Sequence, residues 1–235
     1  MSELSDAAEP TEAVRVEWTR RIEAEYRSSA HSQHLTLWLI QLGAPRELID
    51  DGLRIVQDEL DHAELSADVA HEAGSQVAPA IVQEDLLLKA PAGPLEERTL
   101  FATLEVFCLG ETVAVPLFTE LRRACSVPVA RRALDRVLRD EVRHRQFGWD
   151  LLDYLLETRP SLRETGRRIL PLLLTGLTKR YGSSASALVL PEERAWGLMA
   201  PGSYREILEA TFEKEYKPRF RERGLWPELN SSGEE

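Results

Sequence analysis

Apolar residues recur at three- and four-residue intervals almost without interruption from residue 11 to residue 223, and alternating β-branched runs are nearly absent. The chain therefore reads as all-α. A first helix is expected over about Thr11–Leu42, closed by Gly43-Ala44-Pro45, a glycine suited to a C-cap followed by a helix stop. A second is expected over about Pro45–Ala73, ending at Gly74. Residues 75–94 carry prolines at 79, 91 and 94 and lose the period. They read as a long connection with one short helix near Glu84–Lys89. A third helix follows over about Pro94–Ala124 and a fourth over Pro128–Thr158, with Pro160 as the break. Shorter helices are expected near Leu162–Tyr181, Pro191–Leu198 and Ser203–Arg223.

Two hairpins of long helices joined by one long connection make a four-helix bundle with a single crossover. Helices of roughly 30 residues span about 45 Å, enough to bury a site at mid-height. The chain divides into an acidic tail (1–10), the bundle (11–158) and a C-terminal helical extension (159–235). Trp196, Tyr204, Phe212, Tyr216, Phe220 and Trp226 suggest an extension packed on the bundle.

The chemistry lies in a phrase written twice, 82 residues apart: Asp58-Glu59-Leu60-Asp61-His62 and Asp140-Glu141-Val142-Arg143-His144. Positions i and i+3 share a helix face, so each phrase points a carboxylate and an imidazole the same way. Glu111 interrupts the otherwise apolar run Phe107–Ala114, a costly place for a carboxylate without a partner or a metal. It precedes Glu141 by 30 residues, and Glu25 precedes Glu59 by 34, spacings that suit mid-points of antiparallel helix pairs.

On these residues the chain resembles the ferritin-like di-iron carboxylate superfamily. It is similar to stand-alone bacterial members with Glu-x-x-Ser on the first helix and Gly-Glu-Thr on the third, here Glu25-Tyr26-Arg27-Ser28 and Gly110-Glu111-Thr112. The likeness covers roughly residues 15–158. It implies Glu25, Glu59, His62, Glu111, Glu141 and His144 as metal ligands, with Glu59 and Glu141 bridging and Glu25 and Glu111 terminal. It also pairs Asp58 with His144 and Asp140 with His62, the arrangement that fixes an imidazole tautomer. The implied cofactor is two iron ions, with manganese as the alternative. The implied activity is dioxygen activation by an oxidase or oxygenase acting on a small or carrier-bound organic substrate, with an external electron donor where the reaction needs one. The alternative is a metal-handling or peroxide-detoxifying protein. Against it stand a chain long for a ferritin cage subunit and the lack of a Cys-x-x-Cys relay.

Other residues have plainer readings. Glu23 competes with Glu25 by a small shift of register, and Glu105, six residues before Glu111 and well over a turn away, is a weaker rival to it. Glu64 and Glu72 read as surface; His31, His34 and His71 as ordinary polar or core-edge histidines. Cys108 is read as a small buried hydrophobe, and Tyr26 projects about 100° away from Glu25. Pro116 should kink the third helix near the site. The basic stretch from Arg163 to Arg180 reads as a solvated face.

Composition narrows the class without changing this reading. At 235 residues, 43% hydrophobic and 29% charged, the chain supports a substantial core. A net charge of −11 argues against nonspecific nucleic-acid binding. Cys108 and Cys125 form no spaced motif, which suits a reduced compartment. No basic start precedes an apolar stretch at the N-terminus, and the longest apolar run is read as Ile169–Leu177, short of a membrane span. A cytoplasmic protein with no membrane partner is expected, and pairing of two copies through an outer helix face is open to it.

Overall fold

A computed structural model describes residues 9–181 and 188–226. Most of the acidic tail lies outside the described residues. Among those described, every regular element is helical. Four long helices pack side by side: α1 (Glu12–Gln41), α2 (Arg46–Glu72), α3 (Leu95–Arg123) and α4 (Pro128–Thr158). Their ends follow local chemistry. The Thr11 hydroxyl accepts from the Val14 N–H at the start of α1. Gly43 (φ +67°) and Gly74 (φ +74°) close α1 and α2, where residues with a Cβ are disfavoured.

The direction of each helix follows from two contacts. His62 meets Asp140, and Asp58 meets His144, so α2 and α4 run antiparallel. The hairpin of α3 and α4 then makes α3 parallel to α2, and the chain must return along the bundle between them. The connection does so along α1. The Ala80 N–H donates to Glu23 (2.7 Å), His31 Nε2 pairs with the Asp85 carbonyl (3.1 Å) and the Leu88 N–H donates to His34 Nδ1 (3.2 Å). The expected short helix within it is a single 3₁₀ turn, Gln83–Asp85.

The third helix departs most from expectation. Its middle, Thr103–Glu111, is π-helical, and Pro116 follows within the next α-helical stretch. The widened tract is braced from three sides. The Tyr216 hydroxyl donates to the Leu109 carbonyl (2.6 Å), the Trp149 indole to Thr112 (3.0 Å) and the Cys108 thiol to the Gly148 carbonyl (3.3 Å). Gly148 permits the close approach of α4, because a Cβ there would lie 2.7 Å from Phe107 Cβ and 2.8 Å from its carbonyl carbon.

Two apolar layers close the bundle above and below its middle. One holds Leu35, Leu39, Leu104, Phe107, Leu152 and Leu155; the other Val14, Trp18, Ile22, Val69, Leu121 and Leu134. The C-terminal extension reinforces both. It comprises α5 (Leu162–Tyr181), α6 (Pro191–Ala195) and α7, which runs from Pro201–Thr211 through a π segment, Phe212–Tyr216, into Lys217–Glu222. Tyr216 and Phe220 join the first layer and Trp196 the second. The helix expected to start at Ser203 starts at Pro201, and α6 stops three residues short of Leu198.

One expectation is corrected. The most membrane-like stretch is α3, not Ile169–Leu177. An 18-residue window in α3 reaches a mean hydropathy of 1.6, long and apolar enough to cross a membrane, yet 61% of that window is buried inside the bundle. Most of its apolar residues pack into the core, and Glu111 is buried among them.

Candidate metal centre

Between the two apolar layers each long helix contributes acid. Glu25 comes from α1, Glu59 and His62 from α2, Glu111 from α3, Glu141 and His144 from α4, and all six are buried. Their donor atoms form two groups, each within 4.8 Å: Glu25, Glu59 and His62; and Glu59, Glu111, Glu141 and His144. Either group could hold a metal ion. Glu59 is common to both, and Glu141 belongs to the second. Every residue named as a ligand from the sequence is thus brought to one place.

The imidazoles are set by their outer nitrogens. His62 Nε2 lies 3.2 Å from Asp140, and His144 Nε2 lies 3.3 Å from Asp58. A carboxylate at Nε2 keeps a proton there and turns Nδ1, the atom that would ligate once deprotonated, toward the glutamates. His144 Nδ1 is 3.3 Å from Glu59, and His62 Nδ1 is 3.6 Å from it. Both Nδ1 atoms, with one oxygen each of Glu59 and Glu141, are buried without a hydrogen-bond partner. Four orphaned ligand atoms converging in one interior are costly unless something binds them. The donor set therefore fits metal.

Charges around the site are sorted by layer. Asp58 and Asp140 are both held by Arg143 (2.8 and 3.0 Å), and Arg136 bonds Asp140 and reaches Asp58 and Asp61 (3.3 Å each). Burial works to raise the Asp58 carboxyl, but His144 and Arg143 outweigh it and bring it down to about 2. Burial opposes ionisation of Glu59 too, yet the two histidines hold it far below the ordinary carboxylate range. Glu25 and Glu141 move the other way, well above 4.5, through burial and then through Glu59 and Glu111 respectively. Burial also raises Glu111. His144 rises to about 10, since Asp58 and Glu59 overcome the effect of burial.

Neighbouring residues fall where their plain readings put them. Tyr26 is exposed, as are Glu64, His71 and Glu72. Glu23 and the two histidines of α1 hold the crossover, and Glu105 pairs with Arg180 (3.6 Å) instead of joining the ligands. Cys108 is buried in the first apolar layer. Sequence reasoning missed Arg136, although its place one turn before Asp140 was a usable signal. It also left Ser28 without a role; the hydroxyl donates to Glu59 (3.0 Å).

Family models, curated proteins and solved structures yield no match to this chain. The site's own geometry carries the functional reading.

One further element completes it. A cavity of about 730 Å³ opens between α1, α3 and the crossover and reaches Glu25, Glu59, Glu111 and Glu141. Val106, Ala114, Leu117, Phe118 and Leu121 give it an apolar wall. That size is in the range of small-molecule sites.

Proposed function

We propose that the protein is a ferritin-like di-iron carboxylate enzyme that uses dioxygen to oxidise an organic substrate. The observation that carries this reading is the cavity leading to the ligand carboxylates, because one of its walls is apolar and its size suits an organic molecule, more than the passage of ions alone requires. Four carboxylates carry as much negative charge as two divalent cations carry positive, while Asp58 and Asp140 are balanced by Arg136 and Arg143. Glu25, Glu59 and His62 would hold one ion, and Glu59, Glu111, Glu141 and His144 the other. Oxygen and imidazole donors without thiolate suit iron, with manganese as the alternative. Held by these residues, ferrous ions would supply electrons for the reduction of dioxygen.

The chain's own residues prepare the site for that chemistry. Asp58 and Asp140 orient the imidazoles, and Ser28 fixes one oxygen of Glu59. Leu117, Phe118 and Leu121 give the cavity an apolar side on which the body of an organic substrate would lie.

Anaerobic loading with ferrous iron, metal counting and rapid mixing with oxygen test the reading. Two irons per chain and fast oxygen consumption with a transient visible absorbance are expected. Two irons without oxygen consumption would overturn the enzymatic reading, and failure of the chain to bind more metal than its Glu59→Ala variant would overturn the metal site itself.

A further inference from the structure

The cavity has two unlike ends, and the difference points to a substrate class. Because α1 and α3 run antiparallel, residues before Glu25 on α1 face residues after Glu111 on α3. One end is therefore lined by Glu17 and Arg21 with Leu117, Phe118 and Leu121; the other by Arg27, His31, Asp85, Lys89, Glu105 and Arg180. At the second end Lys89 pairs with Asp85 (3.7 Å) and Arg180 with Glu105 (3.6 Å), and Arg27 is exposed to solvent.

Arg21 stands apart. It is only 8% exposed, lies in the apolar end and stacks on Trp18 with 4.2 Å from its guanidinium carbon to the ring. Nη2 donates to the Gly197 carbonyl (2.9 Å) and Nε makes a long bond to Glu17 (3.4 Å). Nη1 is buried and has no acceptor. A buried guanidinium nitrogen without an acceptor, at the apolar end of a ligand-sized cavity, is the kind of group an incoming anion satisfies.

We infer that the substrate is an amphipathic organic acid whose carboxylate is held by Arg21 while its apolar body lies along Leu117, Phe118 and Leu121. The inference rests on the oxidase reading, since it names the substrate class of that site. Arg21 precedes Glu25 by one helical turn, about 6 Å along the axis. An acid bound there brings carbons a few bonds from its carboxylate alongside the ligand glutamates. The Gly197 carbonyl and Trp18 fix the guanidinium from behind, so Arg21 is prepared for the anion before it arrives.

The test uses a matched pair, 4-phenylbutyrate and 4-phenylbutanamide, titrated calorimetrically into protein loaded anaerobically with ferrous iron. The acid should bind roughly tenfold or more tightly than the amide. Arg21→Gln should abolish that preference; Arg27→Gln, which alters an exposed cation of the same cavity, should keep it. Equal binding of the two probes by the unaltered protein, or no binding of the acid, overturns the assignment. So does a preference that survives in Arg21→Gln, which would make the metal ions the anchor. If Arg21→Gln fails to fold, Arg21→Lys decides: it keeps the charge but loses the fork, and should cut the preference at least roughly threefold. An unchanged preference in Arg21→Lys overturns the inference. Metal counted in each sample separates the two readings: lost iron with an intact acid preference would remove the oxidase reading and leave the acid site standing.

Discussion

Loading the site with metal should expel protons, and the structure sets their number. Glu25 and Glu59 share one ligand group, Glu111 and Glu141 the other, with donor atoms within 4.8 Å. Two carboxylates at that distance repel by about 3.5 kcal/mol at an effective dielectric of about 20, equivalent to roughly 2.5 pH units. Each pair therefore keeps about one proton near neutrality when no cation is present. Burial acts in the same direction at Glu25, Glu111 and Glu141. His144, raised to about 10, holds a third proton where a ligand needs a lone pair. Binding two divalent cations at pH 7 should then release about three protons, each making loading about tenfold tighter per pH unit. Calorimetry with manganese in buffers of different ionisation enthalpy counts them directly. Release of fewer than one proton per chain would refute the reasoning, because the carboxylates would already be ionised together and His144 neutral.

The same groups set the sign of stability against pH. Glu25, Glu111 and Glu141 above 4.5, and His144 above 6.5, mean that the metal-free fold binds more protons than the unfolded chain as pH rises through those values, so its stability falls there. Asp58, Asp140 and Glu59 are depressed and add stability as pH rises through the acid range below 4.5. The increase in Tm on adding manganese should accordingly be larger at pH 8 than at pH 6; an equal increase would contradict the assignment. Glu59→Gln should lose both ions and Glu25→Gln only one, counted by metal analysis, since only Glu59 serves both groups. Asp58→Asn should weaken metal binding roughly 10- to 100-fold through His144 while leaving the stoichiometry at two, and an unchanged affinity would deny Asp58 that part. Gly148→Ala should destabilise the fold by about 2 kcal/mol, because overpacking against the Phe107 backbone outweighs the helix-propensity gain of about 1 kcal/mol. The corresponding fall in Tm is roughly 4–8 °C, and no fall would show that α4 can move away.

Much of this architecture was legible in the chain, for reasons of spacing. Gly43 and Gly74 end helices because the backbone turns left-handed there, and such signals are local. The twin Asp-Glu-x-x-His phrases announce themselves because i and i+3 share a face, and Glu111 because no other charged residue lies between Glu105 and Glu120. What stayed hidden depends on distant chain or on small changes of pitch. The π tract of α3 differs from an α-helix by less than one residue per turn, and over nine residues an apolar pattern does not resolve that. Pro116 gave a local hint, but of a kink, not of the widening upstream of it. Arg21 is buried by Trp18 nearby and by Gly197, 176 residues later. The cavity exists because α1 and the π tract leave space between them, which no single helix encodes.

The widened tract of α3 also makes the geometry of the site depend on the length of the chain as well as its composition. Glu111 closes that tract, so its angular position is the sum of every backbone step between Thr103 and itself. Deleting one residue there would let the helix return to ordinary pitch and recover its regular ladder. The same deletion would swing the carboxylate by about a quarter turn, away from Glu141 and His144. Fold and chemistry thus place opposite demands on those nine residues. A family of chains descended from this one could lose its second metal position through a change of length that improves its helix.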